Sequence, residues 1–195
     1  MARPEILPGQ SACRRSSPPP FNHSTIPRVR LRLRRGEAVK SSLVTDSPAT
    51  TGRVLSGLPL AQVNPFRLIG IFPARHEVVE WRWNLKRLEP LEHRWQTNIW
   101  ISSGFDEPGA QQTCGKTFAE ALRQDSAESL AWLRRLHRSH EPERGPYSTC
   151  MHRDDAATVS YIEISVSGPL ATMRYQPGPP CCPVSVSIHT LNPKD

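Results

Sequence analysis

The run Cys150-Met151-His152-Arg153-Asp154-Asp155 holds the densest collection of reactive side chains in this 195-residue chain. Residues two apart on an extended segment point to the same side, so Cys150 and His152 are expected to share a face. A thiol beside an imidazole can serve as a nucleophile with its base. The plainer alternative makes Cys150 a small core residue and His152 a polar group at a strand end. Metal ligation is a further chemistry open to these types, since His137, His140 and the vicinal pair Cys181-Cys182 add imidazoles and thiols. The spacing argues against it. There is no Cys-x2-Cys frame, and His137-x2-His140 falls one residue short of His-x3–5-His. No metal and no cofactor are therefore expected. Ser102-Ser103-Gly104 closes an apolar run and offers hydroxyls and backbone N–H groups where ligands often bind, although a simple turn would use the same residues.

Other frames are missing. The chain has no phosphate loop, GxSxG, HExxH or GxGxxG. Trp81, Trp83, Trp95 and Trp100 offer rings of the kind on which bases stack, but Glu80, Glu89 and Glu92 lie among them, and a hairpin core explains them better.

These residues need elements to position them. Glu37–Val44 suits a short helix with Val39, Leu43 and Val44 inward. Ser47 is an N-cap with Pro48 at the first helical position, and Val54, Leu55 and Leu58 form the apolar stripe of that second helix. Phe66–Phe72 is a nearly continuous apolar run, expected as a buried central strand. His76–Trp83 alternates, with Val79, Trp81 and Trp83 on one face, and Asn84-Leu85 turns it into a second strand over 86–91. Asn98–Ile101 reads as a strand, and Glu107–Leu122 as a helix. Asp125-Ser126-Ala127-Glu128 reads as a capping box for a helix with Leu130, Leu133 and Leu136 inward and Arg134, Arg135 and Arg138 wet. Tyr147–Met151, Thr158–Val166 (with Ile162, Ile164 and Val166 on one face) and Leu170–Tyr175 read as strands. The order is that of an α+β fold with largely antiparallel sheets.

Charge divides the chain. The net charge of +7 comes from residues 1–35, which carry eight arginines against the single acid Glu5; the remaining 160 residues balance 17 basic with 17 acidic side chains. That balance argues against nucleic acid as the partner of the body and leaves the tail as a candidate for nucleic acid or an anionic surface. Residues 1–35 are expected to be a disordered Pro/Arg-rich tail, 36–176 the folded domain, and 177–195 a loose Pro-rich end. The tail superficially resembles a mitochondrial transit peptide, but Pro18-Pro19-Pro20 and Pro27 would break its helix. No run approaches the about 18 apolar residues of a membrane helix, so the chain is expected to be soluble. Five cysteines, an odd number with no signal peptide before them, point to a reducing compartment and a cytoplasmic location.

Several stretches, in order, resemble the NRDE family, also called the transport and Golgi organisation protein 2 family. They are Arg35-Gly36-Glu37, Asp46-Ser47-Pro48, Leu58-Pro59-Leu60, Pro65-Phe66-Arg67-Leu68, Glu80-Trp81-Arg82-Trp83-Asn84 and Ser102-Ser103-Gly104-Phe105-Asp106. The closest likeness is Leu136-His137-Arg138-Ser139-His140, then Gly145-Pro146-Tyr147-Ser148, then 150–160, ending on Tyr175 and Pro177-Gly178-Pro179-Pro180-Cys181. The resemblance implies an Ntn-hydrolase-like αββα sandwich, whose nucleophile is an N-terminal Cys, Ser or Thr. The family's Cys after the initiator Met and its Asn-Arg-Asp-Glu motif do not occur here; the chain opens Met1-Ala2-Arg3. It is accordingly expected to correspond to the C-terminal part of a family member, divergent or from a truncated or frame-shifted reading frame, and to be catalytically incomplete. No catalytic residue carries over. Ser102, Ser103, Cys150, His152 and Arg153 match family-like positions and are expected to line the former site, with an unknown small molecule as partner.

Overall fold

The structure is a computed structural model that describes residues 34–192. Residues 1–33, which hold nearly all of the expected tail, and 193–195 lie outside the described residues. The described residues form a mixed α+β structure with four α-helices and two antiparallel three-stranded sheets. They divide into two compact units, 34–97 and 98–192. No helix among the described residues is long and apolar enough to cross a membrane.

In the first unit, helix α1 (Gly36–Ser42) precedes α2 (Pro48–Ser56). The Ser47 hydroxyl caps α2 by accepting from the Thr50 N–H, with Pro48 at the first position, as its sequence requires. Helix α1 turns only Ala38 fully inward; Val39, Leu43 and Val44 are exposed, because the helix stops at Ser42 and leaves the last two beyond it. Strands β1 (Phe66–Phe72), β2 (Glu77–Trp83) and β3 (Leu88–His93) form the sheet in the order β1-β2-β3. The central strand is thus β2, not the more apolar β1 expected there. The alternation in β2 explains why: Val79 and Trp81 pack with Leu55 and Ala38, while Glu80 goes to the opposite face and is also buried. Trp81 lies so close to Gly70 of β1 that a Cβ there would fall 2.7 Å from its ring.

Glu80 survives burial because it is enclosed by donors. Arg67 Nε lies 2.7 Å from it, Arg82 Nε 2.5 Å and His93 Nε2 2.8 Å. Burial pushes its carboxyl up, but the hydrogen bonds from Arg82 and His93 and the charges of Arg82 and Arg67 outweigh it and hold the group below the usual range. At the β2–β3 turn, Asn84 Oδ1 accepts from Lys86 and Arg87 N–H, and the left-handed residue is Leu85, at φ 73°.

In the second unit, α3 (Glu107–Ala121) is capped by Asp106, and α4 (Leu130–Arg138) is followed by β4 (Ser160–Ser167), β5 (Leu170–Pro177) and β6 (Ser187–Leu191), paired in that order. Strand β6 lies in the segment expected to be loose. Two further expectations fail. Neither Asn98–Ile101 nor Tyr147–Met151 is in a strand. The capping box does not start α4 either: Glu128 takes φ 67°, and Ser129 is the cap, its hydroxyl accepting from Trp132 N–H. The inner stripe shifts with it. Trp132 and Leu136 are buried and Leu130 is exposed, and the Trp132 ring donates to the Ala121 carbonyl at 3.0 Å.

Helix α4 meets β4 through polar groups. Arg134, expected on the wet side, donates to Glu163 twice, at 2.7 Å each. His137 lies against the Tyr161 ring at 5.1 Å. Tyr161 and Glu163 therefore point inward, and Ile162, Ile164 and Val166 occupy the exposed face.

Candidate functional site

The residues expected to line one site separate into two places. Ser102, Ser103 and Arg153 line a cleft of about 590 Å³, with Trp100, Phe105 and Met151 among its apolar walls. Cys150 and His152 instead join His140 and Cys181 in a cluster whose ligand-type atoms all lie within 4.8 Å of one another. The chain between them alternates: Cys150 and His152 go to the cluster, Met151 and Arg153 to the cleft.

A tight loop fixes that alternation. Thr158 N–H donates to the Met151 carbonyl, Arg153 N–H to the Ala156 carbonyl at 2.7 Å, and His152 bridges Ala157. In the cleft, the Arg153 guanidinium holds Asp155 with two bonds of 2.8 and 2.7 Å and lies 4.7 Å from the centre of the Phe105 ring. Its charge is thereby neutralised and stacked. The Ser103 hydroxyl accepts from the N–H groups of Phe105 and Asp106, shaping the turn into α3. Asp106 in turn accepts from Gly109 N–H and from the Tyr147 hydroxyl, and these two bonds hold its carboxyl below the usual range. Cys114, also on the cleft wall, donates its thiol to the Tyr147 carbonyl at 2.9 Å, and burial pushes its pKa up.

The cluster is assembled from three loops by long-range backbone bonds. Cys150 N–H donates to the Ser139 carbonyl, which sets Cys150 beside His140, just past α4. His152 N–H donates to the Gly145 carbonyl, and the buried Ser148 hydroxyl lies 2.8 Å from the Cys150 carbonyl. The third loop leaves β5 through Gly178, whose φ of 79° needs a glycine. The buried Gln176 amide then donates to the carbonyls of Pro179 and Cys182, fixing the turn that carries Cys181.

Within the cluster, His152 Nε2 lies 3.5 Å from Cys150 Sγ and 3.4 Å from Cys181 Sγ. Its Nδ1 faces Arg144 at 3.2 Å. The rings of His140 and His152 meet edge to face at 5.1 Å. His140 Nε2 is buried and has no hydrogen-bond partner. Cys150 is 0% exposed; burial, with the Cys181 thiol, pushes its pKa up to about 11, against the opposite effects of the Cys181 backbone N–H and the Arg144 charge. Burial, with the charges of Arg144 and His140, holds His152 below its usual value. A protonated, inaccessible thiol is a poor nucleophile, so the thiol–imidazole pair on one face is present but not arranged for attack.

Sequence reasoning named the cleft residues Ser102, Ser103 and Arg153 but missed Trp100, Phe105 and Met151 as walls. It also weighed the four cluster residues for metal and set them aside on spacing, which carries little information when the ligands come from three separate loops. No family model, no curated protein and no solved structure matches this chain.

Proposed function

We propose that residues 98–192 bind a small, neutral, largely apolar molecule in the cleft and do not hydrolyse it, in a protein of NRDE type. The observation that carries this reading is the separation just described: Ser102, Ser103 and Arg153 reach the cleft, whereas the thiol of Cys150 is sealed away from solvent. Two of the cleft's polar groups are already engaged. Arg153 is bound by Asp155 and Ser103 by two backbone N–H groups, so a charged ligand would find no free counter-charge in either, and an amide or ether among aromatic walls suits the cleft better. The family reading rests on the ordered motifs. It is supported by the α+β make-up and by the exposed face of Ile162, Ile164 and Val166, the kind of surface that a second sheet covers in an αββα sandwich. The competing expectation, a basic tail on nucleic acid or an anionic surface, falls almost wholly on residues outside those described.

The test is ligand-observed NMR of the purified full chain against a panel of neutral amides and aromatic fragments, with amine release followed in parallel. Binding without turnover is expected, together with loss of binding in Ala156→Trp, which fills the cleft from its wall. Amine release from any panel member, or equal binding by the filled variant, would overturn the reading.

A further inference from the structure

We infer that His140, Cys150, His152 and Cys181 form a tetrahedral Cys2His2 site for a zinc ion. The cluster's own geometry supports this site whichever molecule the cleft takes.

Geometry carries the inference. Zinc sits about 2.3 Å from thiolate sulfur and about 2.1 Å from imidazole nitrogen, so tetrahedral ligands stand about 3.6 Å apart for sulfur–nitrogen pairs. The two sulfur–nitrogen separations at His152 Nε2 are 3.5 and 3.4 Å, and all four donor atoms lie within 4.8 Å of one another. A hydrogen-bonded cysteine pair beside a histidine would reproduce some of these distances, but not the state of His140. Its Nε2 is buried without a partner, and an unsatisfied buried nitrogen costs about 1–3 kcal/mol unless something occupies it. A cation bound there supplies the missing partner.

Donor chemistry selects the ion. Two thiolates and two imidazoles in tetrahedral array are a zinc set; carboxylates and carbonyls, which calcium and magnesium require, are not among the four. On binding, Zn2+ replaces the thiol protons of Cys150 and Cys181. Two protons leave to solvent, two zinc–sulfur and two zinc–nitrogen bonds form, and the site ends neutral, as a buried centre should. Four protein ligands fill the coordination sphere, so the role is structural. The ion would tie together the end of α4, the 145–158 loop and the turn after β5. Held by backbone bonds and by Gln176, the ligands need little reorganisation. One group must move. A metal on His152 Nε2 leaves the ring proton on Nδ1, where the Arg144 guanidinium now sits; a guanidinium cannot accept that proton, and the exposed Arg144 swings into solvent.

The test loads the reduced, untagged full chain with Co2+. Expected are thiolate-to-cobalt charge-transfer absorption in the near ultraviolet, intense visible bands of tetrahedral cobalt, and displacement by one equivalent of zinc. Cys181→Ser and His140→Ala should each weaken zinc binding by at least about tenfold. Cys114→Ser, a thiol outside the cluster, should leave it unchanged, and Arg144→Ala should bind at least as tightly as the parent chain. The cobalt spectrum is read on the unaltered chain, so it decides the matter even where a variant fails to fold. A weak octahedral spectrum without charge transfer would overturn the inference. So would zinc affinity indifferent to both ligand variants, or a Cys150–Cys181 disulfide in protein kept anaerobic and zinc-replete from the cell onward.

Discussion

Arg134 and Glu163 are bound to each other through two contacts of equal length, 2.7 Å, across the junction of α4 and β4, yet they are buried to different degrees. The Arg134 side chain is 37% exposed and that of Glu163 only 6%. Removing the arginine strands a carboxylate with the Tyr161 hydroxyl, at 3.1 Å, as its remaining close donor. Removing the glutamate leaves a cation that can turn to water. Arg134→Ala is therefore expected to cost about 3 kcal/mol and Glu163→Ala roughly half that. Urea unfolding of the two variants measures the difference, and equal losses would contradict it.

The same cluster sets a pH dependence with two edges. The Arg134 hydrogen bonds, against burial, hold Glu163 below its usual range, so its contribution is present above the unfolded value, about 4.3, and is lost as pH falls through the folded one. Burial and the Glu163 charge push Tyr161 up to about 12. Its contribution is complete below the unfolded value of about 10 and is lost as pH rises toward 12. Melting temperature against pH should fall at both ends, and Tyr161→Phe should flatten the alkaline limb and, by removing its hydrogen bond to Glu163, also weaken the acid one.

Glu80 is a second buried carboxylate with a different surrounding. Three donors enclose it, and its nearest cations, Arg67 and Arg82, are themselves partly exposed. Glu80→Gln keeps the shape but loses the charge and is expected to cost about 2 kcal/mol, seen as a lower denaturant midpoint for the 34–97 unit. A Glu80→Gln chain as stable as the parent would mean the enclosing arginines are satisfied by water.

Leu85 takes a left-handed conformation that a leucine resists, and it is half exposed, so little packing would be lost by replacing it. Glycine would then occupy the left-handed position, at the start of the turn closed by the Asn84 N–H on the Arg87 carbonyl. Leu85→Gly is expected to stabilise the chain by about 0.5–1 kcal/mol, the relief of left-handed strain exceeding the entropy cost of glycine. Thermal melts check it, and a lower midpoint would show that Leu85 packs more than its exposure indicates.

What the residue order reveals depends on how local the cause is. Ser47-Pro48 caps α2 because the whole interaction lies within four residues. The alternation in β2 likewise places Val79 and Trp81 on one side. Alternation does not say which side is inner, however. Ile162, Ile164 and Val166 are the more apolar set, yet Tyr161 and Glu163 turn inward because Arg134 and His137, some 25 residues earlier, supply their partners. Loop geometry is less legible still. The approach of Cys150 to His140 is set by one bond from its N–H to the Ser139 carbonyl, and that of Cys181 by the turn at Gly178. Ser102, Ser103 and Arg153 are found by type, but the split between them and Cys150 and His152 appears only once the 151–158 loop closes.

That four-residue alternation makes one ribbon the common wall of two chambers. If zinc holds Cys150 and His152 from one side, it also narrows the range of positions open to Met151 and Arg153 on the other. Occupancy of the cleft and of the metal centre then become linked equilibria, and the linkage is reciprocal: whatever factor zinc adds to the affinity for the cleft's ligand, the ligand returns to zinc. Such a chain would report on metal supply through a site that never touches the metal.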